Sequence, residues 1–285
     1  MSMTNNRDGK ICLVTGTTAG IGKVTARELA RMRTKVIMLC RDRGKGESVK
    51  AEIKGLYRDA EVDLIVADLS SLSEVRRAAD EFKSKYSRLD ILINNAGGVN
   101  QKRRVTSDGL EATFVTNYLS HFLLTGRLLE LLKASAPSRV INVSSAAHMQ
   151  GRINFDDLQA EQKYGMMSAY SQSKLAQIYF SYELADRLNR SGVTVNALHP
   201  GLVFSNFHNS MQGIYHFGAS LVYAVAGISV EKGAETTIFL ATSPSVKRIT
   251  GKYFYKCQER TSSRFSYDLL IRKRLWEVSE ELVKE

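Results

Sequence analysis

Between Leu202 and Val230 the chain has no Asp, Glu, Lys or Arg, although 24% of its 285 residues are charged. Other absences bound the reading. Only three prolines are present and no Ser/Gly-rich tract or internal repeat interrupts the chain, so nothing reads as a linker and a single domain is expected. The three cysteines, Cys12, Cys40 and Cys257, are odd in number and far apart, which argues against a disulfide framework or a metal set. Cys12 and Cys40 lie inside apolar runs and read as small core residues in a reducing compartment. The start, MSMTNNRDGK, lacks the apolar stretch of a secretory signal, so a cytoplasmic location is expected.

Acidic residues are also in deficit, with 29 Asp and Glu against 40 Lys and Arg, a formal charge of +11. The basic residues are scattered, the clusters QKRR at 101 to 104 and IRKR at 271 to 274 are short, and no binding module accompanies them; no nucleic-acid partner is expected. His121, His148 and His199 have no metal-ligand spacing, so no metal is expected and packing is the reading for all three. In the uncharged stretch, Asn206, His208, Asn209, Gln212 and His216 break the apolar character, and the cleaner run from Phe217 to Val230 is too short to span a bilayer. That excludes a transmembrane segment there and leaves peripheral membrane contact and a homo-oligomer surface open.

What is present is an alternation. Apolar runs at 11–15, 35–40, 62–67, 90–94, 139–144, 193–198 and 251–256 predict strands, and amphipathic patterns at about 21–33, 43–56, 71–87, 108–134, 167–190 and 230–242 predict helices. This predicts an α/β fold: a doubly wound parallel sheet of about seven strands over residues 10–258, preceded by a flexible 1–9 and followed by a helical extension at 259–285.

Directly after the first strand stands TGTTAGIG, with Gly16, Gly20 and Gly22 at the turn into a helix. Glycines there permit a tight turn and bring bare backbone and a helix N-terminus against a pyrophosphate. At the end of the second strand, where a carboxylate would select NAD and an arginine the 2′-phosphate of NADP, the chain has Arg41, then Asp42, Arg43 and Lys45. NADP(H) is the expected cofactor, with Arg41 as chief contact and Lys45 beside it.

TGTTAGIG, NNAG at 94 to 97, Asn117, Ser145, Tyr170 with Lys174 four residues on, and HPG at 199 to 201 together resemble the short-chain dehydrogenase/reductase family over about residues 10–256. CRDRGKGE, VINVSSAAH, INFDDL, AYSQSKLA and VTVNALHPG resemble its retinol dehydrogenase-like branch. The resemblance implies a Rossmann fold. It implies cofactor contacts from Gly16, Thr18, Gly20, Ile21 and Gly22 in the first turn, and from Asp68, at the adenine, with Leu69. Further contacts are implied for Asn95, Ala96 and Gly97, for Pro200, Gly201, Val203 and Ser205 after the sixth strand, and for Tyr170 and Lys174. Read from the residues alone, Asp68 could equally belong to a helix N-cap near Ser70, and Asn94 and Asn95 could simply shape a turn.

Tyr170 and Lys174 share one helix face. Hydride transfer at a carbinol carbon needs a group that exchanges the hydroxyl proton, and a free phenol, with pKa about 10, is a poor base at neutral pH. An ammonium one turn away favours phenolate. In the family the same lysine holds the nicotinamide ribose, a serine donates to the substrate oxygen and an asparagine holds a water in a proton relay. These roles fall on Ser145, chosen over Ser144 by its spacing to the tyrosine, and on Asn117, a poor helix former in a helical segment. Tyr164 has Ser168, not lysine, four residues on and reads as a wall or surface residue.

The family places a substrate cover at about 202–230. With Phe207 and Tyr215 in it, the uncharged composition implies a small lipophilic carbonyl or alcohol substrate. An NADP(H)-dependent oxidoreductase of the 1.1.1 class is expected. The rival is a dinucleotide-binding redox sensor or scaffold, which would have no use for Ser145, Tyr170 and Lys174 together.

Overall fold

The computed structural model describes residues 9–203 and 228–284. Among these, β1 (Ile11–Thr15), β2 (Lys35–Cys40), β3 (Val62–Val66), β4 (Ile91–Asn94), β5 (Ser138–Val143), β6 (Val193–Leu198) and β7 (Lys252–Tyr255) run parallel, and β8 (Gln258–Arg260) pairs antiparallel with β7. The order is β3-β2-β1-β4-β5-β6-β7-β8, so the winding reverses between β1 and β4, where open α/β sheets bind ligands beyond their carboxyl ends. The central strands read as continuous apolar runs because both faces are covered: every residue of β4 and β6 is buried.

The helices are α1 (Gly20–Arg31), α2 (Arg43–Leu56), α3 (Leu72–Lys85), α4 (Ala112–Phe114), α5 (Ser120–Ala134), α6 (Met166–Arg187), α7 (Val230–Thr242) and α8 (Leu269–Leu282). Alternate strand residues feed two cores. Cys12, Val14 and Met38 pack with Leu29 of α1, Ile53 of α2 and Leu240 of α7; Leu13, Ile37 and Leu39 pack with Phe82 of α3, Leu124 of α5 and Tyr179 of α6. Cys12 and Cys40 are buried in the first of these cores.

Three features depart from the sequence expectation. A π-helical turn, Val115–Leu119, interrupts the helix predicted across 108–134. The eighth strand, β8, is polar and exposed throughout and so gives no hydrophobic pattern to read. The segment expected as a helical extension carries the end of β8 and a short 3-10 turn, Arg264–Tyr267, before α8 begins.

That segment packs on the long helix α6. The Tyr182 and Ser262 hydroxyls hydrogen-bond each other at 2.7 Å, the Tyr179 hydroxyl donates to the Phe265 carbonyl, and Arg272 pairs with the buried Glu183 at 2.9 Å. Tyr118 and Ser279 share a 2.7 Å hydrogen bond, and Trp276 lies 4.9 Å from the Phe122 ring. Residues 171 to 185 of α6 are all buried, between this segment and the sheet.

Candidate active site

The turn after β1 is built on contact with the turn after β4. Gly16 has φ +72°, and a Cβ there would meet the Ala96 Cα at 2.8 Å. The buried Thr15 hydroxyl accepts from the Asn95 and Ala96 amides, both at 2.9 Å, and the Asn95 side chain donates to the Thr15 carbonyl at 2.8 Å. Asn94 turns inward and donates to Thr125 and Asn142 at 3.0 and 2.8 Å. Asn95 therefore shapes the turn, while Asn94 ties the end of β4 to β5 and α5.

α1 starts from this turn with Ala19 at its N-cap and no side-chain cap. α6, with Gly165 at its N-cap, likewise has no side-chain cap, whereas α2, α3, α7 and α8 are capped by Asp42, Ser71, Ser229 and Asp268. The first amides of α1 are thus left to an acceptor from outside the helix, which suits a pyrophosphate. Thr18, Gly20 and Ile21 are half-buried at this opening, and Gly22 is pressed against the Gly16 carbonyl, 2.2 Å from where its Cβ would be.

At the end of β2, Arg41 is exposed and its Nη1 lies 3.5 Å from Asp68 Oδ2. Asp42 is committed: its carboxylate accepts the Lys45 amide at 3.0 Å as the cap of α2. Lys45 is exposed, with its ammonium 3.9 Å from the same carboxylate. Asp68 Oδ1 accepts from the Ser70 amide and hydroxyl at 2.9 and 2.8 Å, while Ser71, not Ser70, caps α3. Leu69 is buried in the core, so any contact it makes with a cofactor is through its backbone.

Lys174 is 4% exposed. Its Nζ lies 5.7 Å from the centre of the half-buried Tyr170 ring and donates to the Val143 carbonyl at 3.0 Å and to Gln177 Oε1 at 2.9 Å. Among the described residues no carboxylate pairs with it, and burial pushes its pKa down to about 7. The Ser144 hydroxyl donates to the Lys174 carbonyl at 2.8 Å, which ties β5 to α6. Ser145 follows, half-buried; its hydroxyl accepts from the Ala147 amide at 3.2 Å. The Ser145 carbonyl accepts from His148 Nδ1 at 2.6 Å, and His148 Nε2 accepts from the Ser263 amide at 3.1 Å.

Asn117 explains itself through the π turn, a local widening that commonly marks functional sites. Its Nδ2 donates to the Gly98 carbonyl and the Ser173 hydroxyl, both at 2.9 Å, and its Oδ1 accepts from the Gly98 amide at 2.8 Å. Gly97 stands over the pair: a Cβ there would be 3.1 Å from Asn117 Oδ1 and 3.3 Å from Lys174 Nζ. The β4 turn, the π turn and α6 therefore converge.

After β6, Pro200 is half-buried and Gly201 has φ +95°. Val203 forms a parallel bridge with Ile228, and its side chain lies 2.5 Å from where a Cβ of Gly233 in α7 would be. Ser205, Phe207 and Tyr215, and most of the predicted cover at 202–230, lie outside the described residues. Tyr164 is half-buried, with its hydroxyl on the Asn100 carbonyl at 2.5 Å. Among the described residues no helix is long and apolar enough to cross a membrane and no His, Cys, Asp or Glu group is arranged to hold a metal.

Sequence reasoning missed four residues that build the site: Thr15, His121, Ser173 and Gln177. Helical spacing offered a signal for two of them, since Gln177 is three residues from Lys174 and His121 four from Asn117. Thr15 had none, because its partners lie about eighty residues away.

The family model described as short chain dehydrogenase matches residues 10–213. Human retinol dehydrogenase 14 is 42% identical over 290 residues, an alignment covering 96% of this chain and 86% of that protein. An uncharacterized protein from Mycobacterium paratuberculosis has a crystal structure with TM-score 0.77 at 34% identity, covering 97% of this chain and 94% of that one. The RhlG/NADP active-site complex of Pseudomonas aeruginosa has TM-score 0.72 at 28% identity, covering 89% and 97%.

Proposed function

The chain belongs to the short-chain dehydrogenase family, in its retinol dehydrogenase-like branch, and from that premise we propose that it interconverts lipophilic alcohols and carbonyls using NADP(H). A nicotinamide dinucleotide supplies or accepts the hydride when bound. The observation that carries the reading is Lys174: a lysine buried without a carboxylate, one turn from Tyr170 and beneath Gly97.

In this reading Tyr170 exchanges the proton on the substrate oxygen, and the Lys174 ammonium favours its phenolate. Ser145 donates to the same oxygen. Asn117 holds the Gly98 backbone and Ser173, and with them the spacing between the β4 turn and α6. Pro200, Gly201 and Val203 edge the site beside the first turn of α1.

Three observations support NADP(H) over NAD(H). Arg41 and Lys45 stand exposed at the end of β2, the acid that directly follows the strand, Asp42, is occupied in capping α2, and a 28% identical structure holds NADP. Strand geometry agrees with a dinucleotide: β2 and β5 are three spacings apart in the sheet, roughly 14 Å at about 4.8 Å each. The lipophilic substrate class is supported by the relatives' name and by the uncharged composition of 202–230.

The test is a panel of carbonyls scored by NADPH absorbance. Retinal-like and aromatic aldehydes should show higher kcat/KM than short hydrophilic ones. Equal efficiency across the panel would overturn the substrate class, and equal use of NADH the cofactor.

A further inference from the structure

A polar chain crosses the interior behind Tyr170 and Lys174, and the proposed chemistry does not account for it. Lys174 Nζ donates to Gln177 Oε1 at 2.9 Å, Gln177 Nε2 faces His121 Nδ1 at 3.2 Å, and His121 Nε2 faces the Thr15 hydroxyl at 3.4 Å. Gln177, His121 and Thr15 are all fully buried. Through Thr15 the chain reaches the Asn95 and Ala96 amides. It therefore links the lysine to the two turns that meet beneath the expected cofactor.

The donors run one way. A charged lysine offers only hydrogens, so opposite the ammonium the Gln177 amide turns its oxygen to Lys174 and its NH2 to His121. His121 Nδ1 then accepts and the ring proton sits on Nε2, on the side of a Thr15 hydroxyl whose two lone pairs already take the Asn95 and Ala96 amides. The other tautomer would put a proton on Nδ1 and set it against the Gln177 N–H, donor facing donor. Burial, with the Lys174 charge adding to it, pushes the His121 pKa down to about 3, so the ring stays a neutral acceptor.

We propose that Gln177 and His121 are positioning residues for Lys174: Gln177 supplies one of the two neutral acceptors that aim the ammonium, and His121 locks the amide in that orientation. The inference rests on the oxidoreductase reading above. Lys174 is faced by the Tyr170 ring from its own helix, the Val143 carbonyl from β5 and His121 from α5, with no carboxylate paired to it among the described residues. With Val143 and Gln177 taking two hydrogens, the third is left for the side of Gly97.

Two measurements test this. In cofactor-free protein, long-range proton–nitrogen spectra should give His121 as the neutral Nε2–H form throughout pH 5 to 8. A Nδ1–H or doubly protonated ring would overturn the proposal. In alcohol oxidation, Gln177→Met should lower kcat about tenfold or more, with the rising limb of the kcat/KM pH profile moved up by about one unit and substrate KM within about twofold. Gln177→Asn, which keeps the amide but withdraws it, should fall between. Variants that melt earlier yet keep the pH limb in place would overturn the proposal, and failure of both to fold would assign the pair to stability alone and overturn it too. A wild-type protein without NADP(H) turnover would sink the functional reading, while the spectra would still decide the orientation of the chain.

Discussion

Arg41 and Lys174 are both cations proposed to meet the same cofactor, and their surroundings are opposite. The Arg41 side chain is 77% exposed, answers to an acid at 3.5 Å and sits in water, where charge is cheap to hold and easily screened. Lys174 is buried, has only neutral acceptors, and carries a pKa pushed down to about 7. The difference teaches a division of labour by dielectric. A charge that only recognises a phosphate can stand in solvent, whereas one that must shift a phenol's proton affinity has to act where water does not dilute it.

The sharpest way to break the comparison is at the buried end. Tyr170→Phe should lower kcat by about 10²- to 10⁴-fold, the usual range for a lost acid–base group, with NADPH affinity by fluorescence titration nearly unchanged. Near-normal turnover would refute the role. Lys174→Met should lose turnover on a similar scale and weaken NADPH binding as well; retained cofactor affinity would remove its ribose contact from the reading.

The same substitution has a stability signature. A folded pKa of about 7 lies below lysine's ordinary value of about 10.4, so between those limits the unfolded chain holds a proton that the folded one has shed. Wild-type stability should therefore rise with pH across that window relative to Lys174→Met. Denaturant midpoints at pH 7 and pH 10 check this, and a constant difference would show that the lysine is not desolvated.

At the exposed end the effects are smaller. Arg41→Ala should weaken NADPH binding by about 10- to 100-fold, for loss of a charge-assisted contact of about 1.5 to 3 kcal/mol, and leave NADH binding alone. Raising salt should erode the wild-type preference. Asp68→Asn should change NADPH affinity least, within about fivefold, if its part is confined to the pair with the exposed Arg41, which contributes about 0 to 1 kcal/mol. A larger effect would support the adenine contact that the family resemblance implies for Asp68.

Much of this was legible before the structure because a doubly wound fold writes its strands as apolar runs. KVIMLC and VTVNAL correspond residue for residue to β2 and β6, and the glycine turn lies where β1 ends. QER of β8 could not be read, since an exposed three-residue edge strand has neither alternation nor apolar content. His121 was taken as ordinary packing. Its burial fits that expectation, but its partners on β1 and α6 are fixed by tertiary contact and leave no local trace.

The stretch from Ser262 to Val283 has a consequence for the order of synthesis. Its contacts to Tyr179, Tyr182, Glu183 and Tyr118 cover the back of the helix that bears Tyr170 and Lys174. Translation makes that helix first and its cover long afterwards, and domains settle as units once their parts are out. Until the cover leaves the ribosome, α6 has an aromatic flank in water and the buried Glu183 lacks its Arg272 partner. A nascent chain can therefore own every catalytic side chain and still be no catalyst, and a message cut short near codon 260 should yield a protein for the chaperones and not for the substrate.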